Sequence, residues 1–351
     1  MWRAENLTFP PMADGTLFPA TGPFGETAPA GPVDLRPLTT SELIDRGFAL
    51  YRAHFAGLLL LALLAQTAPL LSQILITATK LNPTPNEILE KPGAACEKLG
   101  MILVIGMIAQ VIVFGFQVVA TLYIADAYLG KIPSVMAGFR KLTTRIASSI
   151  WTCLLHRVLV GATFIFPVLA CVAAYAYELF HPPVSFGAVL LFWGAAFLLF
   201  LASMFPVLVV FMRLWVIVPP LALENVSGWK AVKRSSALVR YDPGLGLLYW
   251  GEMRLSFLLL PLFIIGLLFL SLTALPLILF QVGESIRHGS GGQLILPPDS
   301  TMILSQILTY LAGSIIWPLY AIATTLFYYD VRIRSEGFDL EFMAQQLDDG
   351  K

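Results

Sequence analysis

The chain has 351 residues, is 57% hydrophobic and only 13% charged, and carries no net charge. A soluble domain holds about 45–50% apolar and about 25% charged residues, so the apolar surplus here must face lipid rather than water. The balanced charge leaves no basic tail for a polyanion, which excludes nucleic acid as a partner.

Residues 1–38 are rich in Pro and Gly, with Pro10-Pro11, Pro19, Pro23, Pro29 and Pro32, and hold no apolar run of signal-peptide length. They read as a disordered cytoplasmic tail ahead of a membrane domain at 39–345. A basic, amphipathic stretch follows at 39–55. Thr39 with Glu42 three residues on makes a capping box. Ile44, Phe48, Tyr51 and Phe55 form an apolar stripe, with Leu43 and Leu50 beside it. Glu42, Asp45, Arg46 and Arg52 cover the opposite face.

The first two long apolar runs are 56–79 and 101–125. Each is long enough to span a bilayer, which takes about 20 apolar residues. Lipid offers no partner to open backbone groups, so each is expected to be a helix. The runs do not alternate in hydrophobicity, which argues against a β-barrel. A second amphipathic stretch covers 134–150, with Ser134 as N-cap and a stripe of Val135, Phe139, Leu142, Ile146 and Ile150. Spans three and four follow at 151–177 and 186–212, the latter continuing into an interfacial segment around Pro219-Pro220. A third basic stretch lies at 228–241. Trp229, Val232, Ser236 and Val239 make its apolar stripe, and Asp242-Pro243-Gly244 ends it. Spans five and six are 255–281 and 302–329, joined by a flexible Gly289-Ser290-Gly291-Gly292 loop, and 346–351 is a C-terminal tail.

The fold expected is an all-α polytopic membrane bundle of about six transmembrane helices with three cytoplasmic interfacial helices. On this assignment only Lys80, Lys91, Lys98 and Arg287 lie on one side, against the other eighteen Lys and Arg. Positive charge stays inside, so both termini are expected in the cytoplasm and the protein in the inner membrane. Arg46, Arg140 and Arg234 are 94 residues apart, twice, which suggests a threefold repeat of interfacial helix plus hairpin.

No catalytic pattern emerges. His54, His156, His181 and His288 sit in neither H-x-E nor H-E-x-x-H, Ser290 lacks the first Gly of a nucleophile elbow, and no phosphate-binding Gly loop follows a strand. No metal or cofactor set is expected. Cys153 and Cys171 read as packing residues, and Cys96 lies outside the membrane without a partner for a bridge. Gln66, Gln110 and Gln117 suit interhelical hydrogen bonds, while Pro69, Pro167, Pro206 and Pro261 suit kinks.

Ionisable groups in or near spans are functional candidates. His156 and Arg157 lie inside span three, and Arg213 and Glu224 flank Pro219-Pro220. Asp126, Glu252, Arg254 and Asp330 mark span ends. His156, Arg157, Arg213, Glu224, Arg234, Arg240, Asp330 and Arg332 form the candidate polar cluster for a lipid headgroup. The competing reading is snorkelling and interfacial salt bridges.

The chain ends Tyr328-Tyr329-Asp330-Val331-Arg332-Ile333-Arg334-Ser335-Glu336-Gly337-Phe338. This resembles the terminal signature of the glycerophosphoryl diester phosphodiesterase membrane-domain family. Tyr51-Arg52 with Phe55, the segment Ala127-Tyr128-Leu129-Gly130-Lys131-Ile132-Pro133-Ser134, and Pro219 to Glu224 followed by Trp229, Ala231, Ser235, Leu238 and Val239 are similar too. The resemblance covers about 39–345. It implies the membrane domain alone, because hydrolysis in that family belongs to a separate TIM barrel for which this chain has no room. Three functions stay open: a non-enzymatic scaffold or accessory subunit, a transporter or channel, and an intramembrane lipid-modifying enzyme using His156. Membrane lipids, anionic ones included, and a membrane protein are the partners to expect.

Overall fold

The computed structural model describes residues 35–83, 87, 90–180, 186–241, 251–288 and 297–340. The unit from Arg36 to Lys351 contains all the packing described below. The N-terminal tail, the 242–244 turn, the 289–292 loop and the C-terminal tail fall outside the described residues, apart from 35–38.

Among the described residues the chain is helical, without strands. The helices are α1 (Thr40–Ala53), α2 (Phe55–Ala78), α3 (Pro92–Tyr128), α4 (Val135–Thr143), α5 (Ile146–Thr163), α6 (Ile165–Phe180), α7 (Phe186–Trp215), α8 (Val218–Leu223), α9 (Trp229–Val239), α10 (Gly251–Thr273), α11 (Leu275–His288) and α12 (Asp299–Glu336). Six helical stretches among these residues are long and apolar enough to cross a membrane: Phe55–Ala78, Pro92–Tyr128, Ile146–Ala173, Leu191–Leu223, Gly251–Thr273 and Asp299–Glu336. The protein is an all-α, multi-pass membrane bundle. Leu60, Leu71, Leu103, Leu198, Phe205 and Leu268 are exposed on these helices, as a surface solvated by lipid requires.

Helix α12 organises the bundle. It packs on α1, α2, α3 and α10. Its 38 residues extend about 57 Å at about 1.5 Å per residue, against a hydrocarbon core of about 30 Å. Its polar last turns therefore stand clear of the lipid. From Ala321 to Val331 every residue is buried, and Ala321, Ala323, Thr324 and Thr325 are small enough to let neighbouring helices approach. Tyr51 and Tyr310 tie the helix laterally: the Tyr51 hydroxyl donates to the Ile315 carbonyl at 2.9 Å and the Tyr310 hydroxyl to the Leu63 carbonyl at 3.3 Å.

Two spans break where proline is close ahead. Helix α5 stops at Phe164, three residues before Pro167, whose ring opposes the carbonyl at Thr163 and which has no N–H to give it. Helix α10 stops at Ala274, two residues before Pro276, so the fifth span ends earlier than its apolar run. Pro69, Pro206 and Pro261, by contrast, sit inside uninterrupted helices.

The amphipathic stretches give α1, α4 and α9, each ahead of a pair of spans, but the second is shorter than its 134–150 stripe: α4 ends at Thr143, and Ile146 and Ile150 belong to α5. The buried faces of α1, α4 and α9 differ in detail from the sequence reading. On α1 the protein-facing line is Leu43 and Gly47, the latter beside Ile322 and Leu326, while Phe48 is exposed, as is Phe55 at the start of α2. On α4 it is Gly138, set closely against Val119 of α3. On α9 the buried residues are Ala231, Val232, Ser235, Leu238 and Val239; Ser235 replaces Ser236, and Trp229 lies outward, 52% exposed. The segment at Pro219-Pro220 forms the buried helix α8, packed with Phe114, Val118, Leu122 and Cys153. Cys171 is exposed rather than packed.

The start of α1 is built as its sequence requires. Thr39 and Glu42 form the reciprocal capping box. The Thr39 N–H donates to Glu42 at 2.7 Å, and Arg36 donates to the same carboxylate at 2.6 Å. The backbone bond from Thr39, then Arg36, then the Thr39 hydroxyl pull the Glu42 pKa down to about 2. A folded-state pKa below the unfolded one stabilises above the unfolded value of 4.5 and loses that contribution as pH falls towards about 2. Replacing Thr39 with Ala should weaken this helix start by about 1 kcal/mol. The expected readout is faster hydrogen exchange at the Glu42 amide, which donates to the Thr39 hydroxyl. Unchanged exchange there would show that the cap is not holding it.

Candidate functional site

Polar side chains gather where the chain before α1 meets the end of α12. Asp330 is 1% exposed. Arg254 of α10 reaches its Oδ2 at 2.8 Å, and Arg334, one turn along α12, reaches the same oxygen at 3.0 Å. The Leu38 N–H donates to Asp330 Oδ1 at 2.8 Å. The Leu38 carbonyl then accepts from Arg254 at 3.0 Å and from Arg334 at 2.6 Å. One backbone residue thus gives and takes hydrogen bonds across a buried ion triad. Leu38, placed in the tail by its sequence, is 2% exposed and belongs to the bundle.

A second network lies beside the first. Arg234 of α9 grips Glu224 through Nε at 2.7 Å and Nη2 at 2.9 Å, and reaches Glu336 through Nη1 and Nη2. Arg332 binds Glu336 at 2.9 Å and the Tyr328 hydroxyl at 3.2 Å. That hydroxyl donates to Glu224 at 2.9 Å, which closes a ring. The Glu336 and Glu224 carboxylates push the Arg234 pKa up, so its charge is fixed. Arg332 also stacks on Phe338 at 4.6 Å. Alongside, Arg213 pairs with Glu252 at 2.8 Å, and its carbonyl accepts from the Ser235 hydroxyl at 2.7 Å.

Of the eight sequence candidates, Glu224, Arg234 and Arg332 share the ring, Asp330 anchors the adjacent triad and Arg213 borders them. Arg240 is exposed and joins neither network. His156 and Arg157 lie apart on α5. Arg157 hydrogen-bonds the Gln110 side chain of α3, the interhelical role expected of that glutamine. His156 Nδ1 and Arg157 Nε are buried and make no hydrogen bond among the described residues. Arg254, Arg334, Glu336 and Tyr328 complete the networks. The four-residue spacing of Asp330 with Arg334 and of Arg332 with Glu336 is the sequence signal that would have found two of those pairs.

Asp330, Glu224 and Glu336 are each engaged on more than one side, by arginine or by hydroxyl and amide donors. Their lone pairs are occupied, so the arrangement resists proton transfer and suits mechanical coupling. Among the described residues no three His, Cys, Asp or Glu side chains come close enough to hold a metal ion. An apolar cavity of about 30 Å³ lies between α1, α10 and α12, lined by Leu43, Phe48, Leu258, Pro261 and Leu319 among others. No family model, curated protein or solved structure matches this chain.

Proposed function

We propose that the protein is a non-enzymatic membrane scaffold or accessory subunit of the inner membrane, with both termini in the cytoplasm. The observation that carries this is the pair of ion networks. They fix α8, α9, α10, α12 and the Leu38 segment to one another. A rigid platform results. On it α9 presents Trp229, Lys230, Lys233 and Arg240 outward, without side-chain ion pairs among the described residues. That basic, aromatic surface suits an acidic face of a membrane protein partner. The excess of Lys and Arg on this side supports the cytoplasmic orientation. The resemblance to the phosphodiesterase membrane-domain family belongs to the same proposal, because its terminal signature supplies Tyr328, Asp330, Arg332, Arg334 and Glu336.

The test is purification from the native membrane in mild detergent, with everything bound identified by mass spectrometry. A stoichiometric protein partner that is lost from the double variant Lys230→Glu, Lys233→Glu supports the scaffold. A lone protein that drives solute flux in proteoliposomes overturns it in favour of transport. The partnerless polar atoms of His156 and Arg157 inside a span are what favour that second reading. Flux that survives His156→Ala would remove the histidine from it.

A further inference from the structure

A second polar site lies on the same face, away from both ion networks. It is a small pocket between the end of α3, the end of α4, the start of α5 and α8. Val118, Leu122, Leu142, Leu221 and Ala222 make its apolar walls, and Lys141, Arg145 and Ser149 supply its polar atoms.

Three features of this pocket are unusual for a packed membrane protein. Ser149 is 4% exposed, yet its hydroxyl has no hydrogen-bond partner among the described residues. Among the described residues Thr121, 2% exposed, is alike in this, whereas Thr152, Ser235, Ser305, Ser314, Thr324 and Thr325 each donate to a backbone carbonyl. Lys141 and Arg145 are four residues apart and form no ion pair among the described residues. The Arg145 charge acts on Lys141 across the turn between the two helices. Desolvation and then Arg145 lower the Lys141 pKa, with Asp126 pulling the other way. Finally, α5 begins at Arg145 with no side-chain cap, so its first-turn N–H groups and the positive end of its dipole point out beside the two cations.

We propose that this pocket binds the phosphate of an anionic phospholipid. Lys141 and Arg145 and the α5 N-terminus neutralise the phosphate, and Ser149 donates to one of its oxygens. The pocket is about 10 Å³, about the room one water-sized oxygen needs, so a single phosphate oxygen enters and the rest of the headgroup stays at the mouth. A lipid rather than free phosphate is the occupant for two reasons. The walls are apolar, as the glycerol and acyl portion require. Ile146, the residue after Arg145 at the start of α5, lies exposed where a lipid chain would run. A zwitterionic headgroup would press its own ammonium against Lys141 and Arg145, so a headgroup with net negative charge is selected. The inference stands independently of the scaffold reading.

Native mass spectrometry of the full chain, released from nanodiscs of phosphatidylcholine doped with phosphatidylglycerol, tests it. Wild type should retain phosphatidylglycerol in preference to phosphatidylcholine. The double variant Lys141→Gln, Arg145→Gln should retain it about 30-fold less well, the loss expected for two basic contacts at an anionic lipid surface. Ser149→Ala, which suits a helix, should lose about fivefold, the value of one hydrogen bond. The control Arg52→Gln, Lys131→Gln removes equal charge from exposed positions outside the pocket and should retain lipid as wild type does. Equal loss in that control, or equal retention of both lipids by wild type, overturns the site. Displacement of the lipid by inorganic phosphate alone overturns its assignment to phospholipid.

Discussion

Asp330→Ala should be the most destabilising single change at the termini face, costing about 3–5 kcal/mol, the range for removing one partner of a buried ion pair. The variant leaves the Arg254 guanidinium, itself buried, without its carboxylate, and orphans the Leu38 N–H. Thermal unfolding in detergent measures the loss. Hydrogen exchange locates it, because the Leu38 amide donates directly to Asp330 and should exchange far faster in the variant. A triple replacement of Asp330, Arg254 and Arg334 by apolar residues of similar size should cost less than Asp330→Ala alone, since it strands no charge. An Asp330→Ala protein that unfolds like wild type and keeps the Leu38 amide protected would show that the triad holds nothing together.

That triad also marks where the sequence stops being informative. The six spans, the two capped amphipathic helices and the charges at span ends are legible because lipid imposes length and composition on the chain. Asp330, Arg234 and Glu224 stand out for the same reason: few charges are tolerated that close to an apolar run. Leu38 does not stand out, since it acts through its backbone N–H and carbonyl, which every residue possesses. The face of α9 is misread because composition favours Trp229 as an anchor, whereas the helix is set by Arg234 reaching Glu224 and Glu336. Burial of Pro219-Pro220 is equally hidden. Two prolines signal a break, but only the packing of α3, α5 and α9 around α8 makes the break a core element. The pocket of Lys141, Arg145 and Ser149 is hidden in the sequence, where its serine looks like any other helical serine.

Gly251→Ala should be destabilising out of proportion to one methyl group. Gly251 opens α10 against the end of α9, and its N–H donates to the Tyr241 carbonyl at 2.9 Å. A Cβ there would collide with the Val239 carbonyl, with the Leu238 carbonyl next to it. Both obstacles are backbone, so no side chain can rotate away and the two helices must part. Overpacking of this kind costs about 1–3 kcal/mol. The parting also pulls Glu252, the adjacent residue, from Arg213. Gly266→Ala on the same helix is the matched control. Its new methyl would meet only the Tyr320 hydroxyl, at 3.5 Å, an ordinary contact, and alanine is favoured over glycine in a helix by about 1 kcal/mol. The two variants should therefore shift the unfolding temperature in opposite directions, Gly251→Ala down and Gly266→Ala level or up. If both fall equally, the cost is one of adding any methyl to α10, and the close approach of α9 to α10 is not what requires glycine at 251.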